Sequence, residues 1–386
     1  MARDRKINPP FRADIVGSFL RPQRLISARE KMGLTGGSAA VTKVLGDRDA
    51  AELKRIEDEA IRDVVKFEED CGLKVVTDGE MRRGSWAYDL INRIVGIELK
   101  QQTGDAATGF TFTSGNRPPI AHAEGKLGRP EGGIVLKDYL YTKTLTDRTV
   151  KVTMPTPTLA YVRGGRAAVS KEVYPDIEEF FQDLMKVYQD EISDLAANGC
   201  TYVQIDNTDS ALLCDPKFQE ASRRNGMEPQ DQLALHGRLI SGAVAKRPDN
   251  VTVSMHLCRG NGQGAWLAEG GYEYIAEKLF NEFDVDAFFL EYDSERAGDF
   301  QPLRFVPKDK IVVLGLVTTK TPENDDRDTL LRRIEDAAKY VPIDNLCLSP
   351  QCGFSSGARG NPITVEDTRR KLDLVQDVAR EVWGDR

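Results

Sequence analysis

One histidine and one cysteine stand two positions apart in the stretch SMHLCRGNGQG, residues 254–264, and both residue types bind metal ions. If the stretch begins as a β-strand, His256 and Cys258 point to the same side of it, so both could reach one ion. Alone, the pair is equally compatible with an ordinary strand end that runs into a loop. A zinc site needs three or four ligands, so the others must come from elsewhere in the chain.

Two further side chains suited to zinc stand where other short apolar runs end. Glu291 closes the run in FFLEYDSE, and Cys352 follows another run in SPQCGFSS. Carboxylate, thiolate and imidazole groups are all zinc ligands in proteins. The wide separation of these residues along the chain excludes a zinc finger or a zinc ribbon. The fold itself would therefore have to bring the candidate ligands together.

Two carboxylates at other strand ends are suited to binding a cation or an amine. Asp206 ends the apolar run TYVQID, and Glu80 lies in TDGEMRRGSW. In a functional interpretation, both accept hydrogen bonds from the ammonium group of a substrate. The alternative is that they only pair locally, with Arg82 or Arg83 as the nearest partners in sequence.

The elements that must position these residues are short β-rich runs that alternate with longer helical patterns. Such alternation predicts a parallel sheet, and eight runs predict a (β/α)8 TIM barrel. An open doubly wound sheet is the alternative, but no GxGxxG follows the first run, which argues against its dinucleotide-binding form. The predicted strands are 13–19, 72–80, 150–155, 201–206, 251–256, 285–292, 311–317 and 345–350.

A TIM barrel carries its chemistry at the C-terminal ends of its strands, which is where the candidate residues fall. Two more polar residues belong to this set. Ser18 ends the first predicted strand, and Lys320 follows the seventh. For Lys320 the alternative is an ion pair with Glu323 or Asp325 in its own loop.

Residues 96–148 break the alternation, because they are rich in glycine, threonine and alternating polarity. This pattern predicts an insertion after the second strand. The stretch GIVLKDYLYTKTLTDRTVKVTM favours a β-hairpin within or next to it. Residues 1–386 are otherwise predicted to form a single barrel domain.

The composition excludes some partners. The 386 residues carry a formal charge of −8, whereas nucleic-acid binding needs a basic face. The apolar runs are too short to cross a bilayer, and MARDRKINPPF lacks the apolar core of a signal peptide. The six cysteines are scattered, which favours reduced thiols or metal ligation over a disulfide scaffold. These features predict a cytoplasmic protein that acts on small molecules and could form a homo-oligomer.

Six short motifs occur in a fixed order along the chain: VGSF, DGE, QID, HLC, LEYDSE and PQCG. In this order they resemble the cobalamin-independent methionine synthase family, specifically its zinc-bearing C-terminal barrel. The similarity extends from VGSFLRP at 16–22 to SPQCGF at 349–354. The chain looks like the single-barrel branch, in which the N-terminal barrel is absent. A related branch contains the epoxyalkane:coenzyme M transferases.

The resemblance implies a role for each candidate residue. Ser18, Glu80 and Asp206 fall where the family holds the amino acid portion of homocysteine. A zinc ion in such a site removes the proton of a bound thiol and thereby makes it a nucleophile at neutral pH. The implied zinc ligands are His256, Cys258, Glu291 and Cys352.

The chain departs from the family at two places. Methionine synthases have IDEPA after the fourth strand, whereas this chain has IDNTD, with Asn207 and Thr208 in place of glutamate and proline. The family also has a histidine that protonates the folate leaving group, and here Lys320 of TTKTPE takes that place. Lysine can act as an acid or bind an anionic group. The alkyl donor is therefore left open.

Together these observations predict a zinc-dependent thiol alkyltransferase that methylates homocysteine to give methionine, with Lys320 as the candidate catalytic residue. One alternative is an enzyme that adds a thiol of the coenzyme M type to an epoxide or another alkyl donor. The other is a protein that binds zinc or thiols without catalysis.

Overall fold

The fold is a mixed α/β structure. The computed structural model describes residues 9–34, 45–101, 119–262, 264–355, 357 and 359–384. The strands in this part of the chain are β1 (Val75–Val76), β2 (Val95–Lys100), β3 (Ile120–Gly128), β4 (Thr149–Pro155), β5 (Tyr202–Asn207), β6 (Thr252–Leu257), β7 (Asn261–Gly262), β8 (Ala265–Trp266), β9 (Ala287–Glu291), β10 (Ile311–Val317) and β11 (Leu346–Pro350).

A parallel sheet of seven strands forms the centre of the fold, in the order β1-β4-β5-β6-β9-β10-β11. These strands correspond to seven of the eight predicted ones. The register sets the candidate residues side by side, because Asp206 on β5 lies opposite His256 on β6. On β9, Glu291 lies opposite Gly315 of β10. The C-terminal ends of the strands therefore meet at one edge, as the sequence pattern predicts.

The first predicted strand, 13–19, does not form a regular strand. Ala13 makes one isolated parallel bridge to Leu348 of β11. At the other end of the segment, the backbone N–H of Phe19 donates to the carbonyl of Gly79, 3.1 Å away and just beyond β1. The segment thus runs between the two edge strands of the sheet without a continuous ladder to either.

Side chains from neighbouring strands and loops explain this difference from the prediction. The carbonyl oxygen of Val16 accepts from Gln204 Nε2 at 2.8 Å, and that of Gly17 accepts from Thr77 Oγ1 at 2.7 Å. The carbonyl of Ile15 accepts from the Lys151 ammonium group. These oxygens are therefore satisfied without a partner strand, and a sequence pattern of apolar residues does not reveal that.

Helices connect most of the strands and bury one face each against the sheet. Helix α5, for example, is capped by Asp176, whose side chain accepts from Glu178 N, and it buries Phe180, Leu184 and Val187. The helices are α1 (Gln23–Lys31), α2 (Asp47–Asp70), α3 (Tyr88–Ile91), α4 (Leu136–Lys143), α5 (Ile177–Ala197), α6 (Asp209–Leu212), α7 (Pro216–Arg224), α8 (Pro229–Val244), α9 (Glu273–Glu282), α10 (Arg327–Ala337) and α11 (Val365–Trp383). In the described ranges, no helix is long and apolar enough to cross a membrane.

The predicted insertion contains an antiparallel pair, but not in the stretch where the sequence favoured one. Strands β2 and β3 pair antiparallel, with Ile97 opposite Ala123. The stretch GIVLKDYLYTK instead contains helix α4, because its residues Leu136, Tyr139 and Thr142 recur every three positions and are buried. Residues 102–118 of the insertion lie outside the described residues.

Candidate metal centre

Three of the four candidate ligands converge at the C-terminal edge of the sheet. The ligand atoms of His256, Cys258 and Cys352 all lie within 4.8 Å of one another, and the two Sγ atoms are 3.7 Å apart. His256 stands near the end of β6, Cys258 directly after it, and Cys352 two residues after β11. All three are buried. One imidazole and two thiols at such distances form a donor set suited to zinc.

Two features of these residues fit a metal ion. Both ring nitrogens of His256 are buried, and within the described part of the chain neither has a hydrogen-bond partner. A buried polar group without a partner costs about 1–3 kcal/mol, which coordination of one nitrogen would offset. The neighbouring Cys352 thiol and burial raise the pKa of the Cys258 thiol well above its usual range. A bound cation reverses such a shift, because a coordinating thiol is deprotonated.

Glu291, the fourth candidate, lies beside this group but outside it. Its buried carboxylate accepts hydrogen bonds from the backbone N–H of Arg259 at 2.8 Å and from Gln351 Nε2 at 3.2 Å. It also accepts from Asn261 Nδ2 at 2.8 Å and lies 3.4 Å from Arg296 Nη2. Burial would raise the pKa of Glu291, but Arg296 and Arg259 hold it at about 2. The carboxylate is therefore ionised and fully hydrogen-bonded.

The three donors open onto a cavity of about 630 Å³, including its solvent-open mouth. The three candidate substrate-binding residues line the same cavity: Ser18, Glu80 and Asp206. Lys320 is not among the lining residues. The remaining walls come from Val16, Trp86, Arg163, Thr208, Gly260, Asn261, Leu267 and Gly353.

Glu80 lines this cavity and has one carboxylate oxygen without a hydrogen-bond partner among the described residues, 4.0 Å from Arg21 Nη2. Its Oε1 lies 3.3 Å from Arg83 Nη1 and 3.3 Å from Thr153 Oγ1, whereas its buried Oε2 has no hydrogen-bond partner in the described part of the chain. Burial raises the pKa of Glu80 to about 7, although Arg83 and Arg21 act in the opposite direction. The backbone of Glu80 is left-handed, with φ of 59°, which is uncommon for a residue other than glycine and recurs at functional sites.

The local pairing considered for Glu80 is thus present with Arg83, and Arg21 forms a second ion pair with the other oxygen at 4.0 Å. Arg82 turns away and pairs instead with Glu57, Asp58 and Asp138 of the surrounding elements. Oε2 of Glu80 therefore has a nearby cation but, within the described ranges, no hydrogen-bond donor.

Asp206 and Ser18 are both held in place by neighbouring groups. Gln204, two residues earlier on β5, donates from Nε2 to Asp206 Oδ1 at 2.7 Å. Burial raises the pKa of Asp206. Ser18 lies close to the segment after β11, since a Cβ atom at Gly353 would stand 1.9 Å from Ser18 Oγ. Only glycine fits at position 353 beside this serine.

Lys320 forms a buried ion pair with Asp293, from the loop that follows β9. The alternative partners considered from the sequence, Glu323 and Asp325, are not the ones it pairs with. Asp325 instead accepts from the backbone N–H of Thr318 at 2.9 Å. The ammonium group of Lys320 is therefore held by the loop that follows β9.

Four side chains outside the candidate set contact the site. Asn261, Arg296, Gln351 and Gln204 all hydrogen-bond to candidate residues. Two of them stand in motifs quoted from the sequence, Gln204 in QID and Gln351 in PQCG. Gln204 also lies two positions before Asp206, on the same face of its strand.

Known proteins with similar sequences share most of this chain. Residues 16–381 match the family described as "Cobalamin-independent synthase, Catalytic domain". The uncharacterized protein YxjH of Bacillus subtilis is 39% identical over 97% of this chain and 95% of its own length. A protein of Pyrococcus abyssi that is named methionine synthase is 25% identical over 90% of this chain and 87% of its own.

A solved structure leads to the same family. It comes from Listeria monocytogenes and is assigned, provisionally, as a vitamin B12-independent methionine synthase. It has a TM-score of 0.73 and 30% identity, and the match covers 97% of this chain and 98% of that one. The family match includes every candidate residue of the metal centre and the cavity. The chain therefore belongs to the family of cobalamin-independent synthase catalytic domains.

Proposed function

We propose that the protein is a zinc-dependent thiol alkyltransferase that methylates homocysteine to give methionine. The observation that carries this proposal is the group His256, Cys258 and Cys352, which opens onto the same cavity as Glu80 and Asp206. The family match supports methyl transfer, and the relative from Pyrococcus abyssi carries the name methionine synthase. The donor set is suited to zinc and unsuited to magnesium or calcium, which prefer oxygen.

His256, Cys258 and Cys352 would hold the ion, and Glu291 would join them only by giving up part of its hydrogen bonding. When bound, zinc lowers the pKa of a substrate thiol and so supplies a thiolate at neutral pH. Oε2 of Glu80, which has no hydrogen-bond donor in the part of the chain that the structure describes, and the carboxylate of Asp206 would accept from the substrate ammonium group. Such contacts would direct the sulfur of an amino-thiol toward the metal centre and orient it for attack on an alkyl donor.

The surroundings of Lys320 favour donors whose leaving group needs no proton. Its ammonium group is engaged by Asp293, and Lys320 is not among the residues that line the cavity. A methyl-folate donor requires protonation of its leaving nitrogen, for which general acid catalysis supplies roughly 10² to 10⁴ in rate. A methylated cobalamin or a sulfonium compound has no such requirement. We therefore infer that one of these is the better donor.

We also infer that the seven-stranded sheet closes as a (β/α)8 barrel through residues 13–19, and that the chain forms one domain with 96–148 inserted. The contacts of Ala13 with Leu348 and of Phe19 with Gly79 support this closure. The negative charge and the six free cysteines support a cytoplasmic location.

Addition of a thiol to an epoxide is the second candidate function, because a zinc thiolate can attack an epoxide carbon as well as the methyl group of a donor. A requirement for the ammonium group separates the two. The test uses the zinc-loaded protein with homocysteine, or with a matched thiol that lacks an amine. Each thiol is combined in turn with methyl-folate, methylcobalamin, a methylsulfonium donor and a simple epoxide, and thioether products are measured by mass spectrometry.

Repeated turnover to methionine, absent in Cys352→Ser, would support the proposal. Turnover only with the amine-free thiol would favour the epoxide reaction. Stoichiometric binding of zinc and thiol without any thioether would indicate a binding protein instead.

A further inference from the structure

Asn261 lies between Cys258 and Glu291 and contacts both. Its Nδ2 atom is 3.3 Å from Cys258 Sγ and 2.8 Å from Glu291 Oε1. The residue is buried and lines the cavity. One amide nitrogen therefore reaches a donor of the metal centre and the carboxylate beside that centre at the same time.

The orientation of this amide is fixed by its other end. Its Oδ1 accepts from Arg296 Nη2 at 3.3 Å. A guanidinium group has no acceptor, so the amide oxygen must face Arg296 and the nitrogen must face Cys258 and Glu291. The two N–H bonds then meet two groups that accept when they are ionised. Arg296 also lies 3.4 Å from Glu291 Oε2, so this carboxylate is held from both sides.

The backbone of the β7–β8 hairpin positions Asn261. Asn261 pairs with Trp266 across the hairpin, and the guanidinium group of Arg296 stacks on the Trp266 ring at 5.1 Å. Beyond the hairpin, the backbone N–H of Ala268 donates to the carbonyl of Arg259 at 3.1 Å. These contacts do not involve the metal donors. The amide is therefore preorganised rather than placed by the ion.

We propose that Asn261 is a positioning residue of the metal centre, which rests on the metal binding in the proposed function. Its amide donates to Cys258 Sγ and to the carboxylate of Glu291, and so orients both groups at the metal centre. Groups that orient metal ligands in this way typically change metal affinity 10- to 100-fold when they are removed.

The decisive variant is Asn261→Leu, which keeps about the size of the side chain but removes both N–H donors and adds no charge. A second variant, Asn261→Ala, removes the donors together with most of the side chain. Asn261 belongs to neither of the two large clusters of buried hydrophobic residues that form the core. Both variants are therefore expected to fold.

The measurement is the affinity of the purified full chain for Zn²⁺ in competition with a chromophoric chelator. Thermal unfolding of the metal-free proteins is recorded in parallel. Both variants are expected to bind zinc about 10- to 100-fold more weakly than the wild type. The matched control is Asn281→Ala on helix α9, where an exposed asparagine donates to the carbonyls of Glu277 and Phe305, far from the metal donors in sequence. It is expected to leave zinc affinity unchanged.

The spectrum of the Co²⁺-substituted protein separates positioning from a general loss of stability. Asn261→Ala should shift the sulfur-to-cobalt charge-transfer bands, because the thiolate of Cys258 loses a hydrogen bond. Wild-type zinc affinity and an unchanged cobalt spectrum in both variants would overturn the role of Asn261. Failure of the wild type to bind zinc or cobalt would instead contradict the proposed function itself.

Discussion

Glu80 should make ligand binding stronger as the pH rises, because burial raises the pKa of its carboxyl group. The carboxyl group of Glu80 must be ionised if its Oε2 atom is to accept a charge-assisted hydrogen bond from a substrate ammonium group. Burial raises the pKa of this carboxyl to about 7, against the effect of Arg83 and Arg21. With that pKa, roughly one tenth of Glu80 is ionised at about pH 6 and roughly nine tenths at about pH 8.

The size of the effect follows from these fractions. Binding that requires ionised Glu80 should strengthen by roughly tenfold between about pH 6 and about pH 8. A charge-assisted hydrogen bond contributes about 1.5–3 kcal/mol, or at least about a factor of ten, so binding by the protonated form still leaves a change of about fivefold or more. The sign is fixed, because a raised carboxyl pKa means that binding is lost as the pH falls through that pKa.

The assay is calorimetric titration of the zinc-loaded protein with L-methionine, the proposed product. Methionine keeps the ammonium group but has no thiol proton, so release of that proton does not contribute to the pH profile. The variant Glu80→Gln should bind weakly and without this pH dependence. The control Glu57→Gln alters another buried glutamate with a raised pKa, one that pairs with Arg29 and lies outside the cavity, and it should retain the wild-type profile.

A flat profile in the wild type would refute the reasoning. An equally steep rise in Glu80→Gln would also refute it, because the titrating group would then be another one.

Other consequences concern the metal, the amine and the ion pair. Cys352→Ser should lose most bound zinc, measured by metal analysis, while circular dichroism shows an unchanged fold. Asp206→Asn should weaken homocysteine binding by about ten- to a hundredfold and leave the zinc content alone. Lys320→Ala leaves the carboxylate of Asp293 buried without its cation, so unfolding free energy should fall by about 3–5 kcal/mol. Zinc binding should persist in this variant, and the wild type should turn over methyl-folate poorly, as a comparison of donors would reveal.

The three donor residues could be found from the sequence because each lies at, or just after, the C-terminal end of a strand. The spacing of His256 and Cys258 needs only the alternation of side chains along β6. Cys352 follows the last strand, and parallel strands bring their C-terminal ends to one edge. The sequence therefore sufficed to group these residues, although nothing in it gives their distances.

The surroundings of Glu291 could not be found in the same way. The hydrogen bonds to its carboxylate come from Arg259, Asn261, Arg296 and Gln351, which lie on three different loops. No periodic pattern links these positions. A carboxylate at a strand end looks the same in sequence whether it is free to coordinate a metal or is held by donors on both oxygens.

In the insertion, prediction from sequence failed because one stretch fits both the residue spacing of a strand and that of a helix. The apolar residues of GIVLKDYLYTK fit a strand by alternation, but Leu136, Tyr139 and Thr142 also fit one face of a helix. The buried carboxylate of Glu191 decides between them, since it accepts from the backbone N–H of Val135 at 2.8 Å and of Leu136 at 2.9 Å. A side chain some 55 positions away thus caps this helix.

The first segment and the substrate site depend on the same buried residues. Gln204 donates to the carbonyl of Val16 at 2.8 Å and to Asp206 Oδ1 at 2.7 Å, so both N–H bonds of its amide are used. Its Oε1 accepts from Lys151 at 3.0 Å, and Lys151 also binds Asp14 at 2.9 Å. Because the Lys151 ammonium group has no acceptor, it fixes which end of the amide faces Asp206. The contacts that stand in for a regular first strand therefore also orient the carboxylate of Asp206 in the cavity.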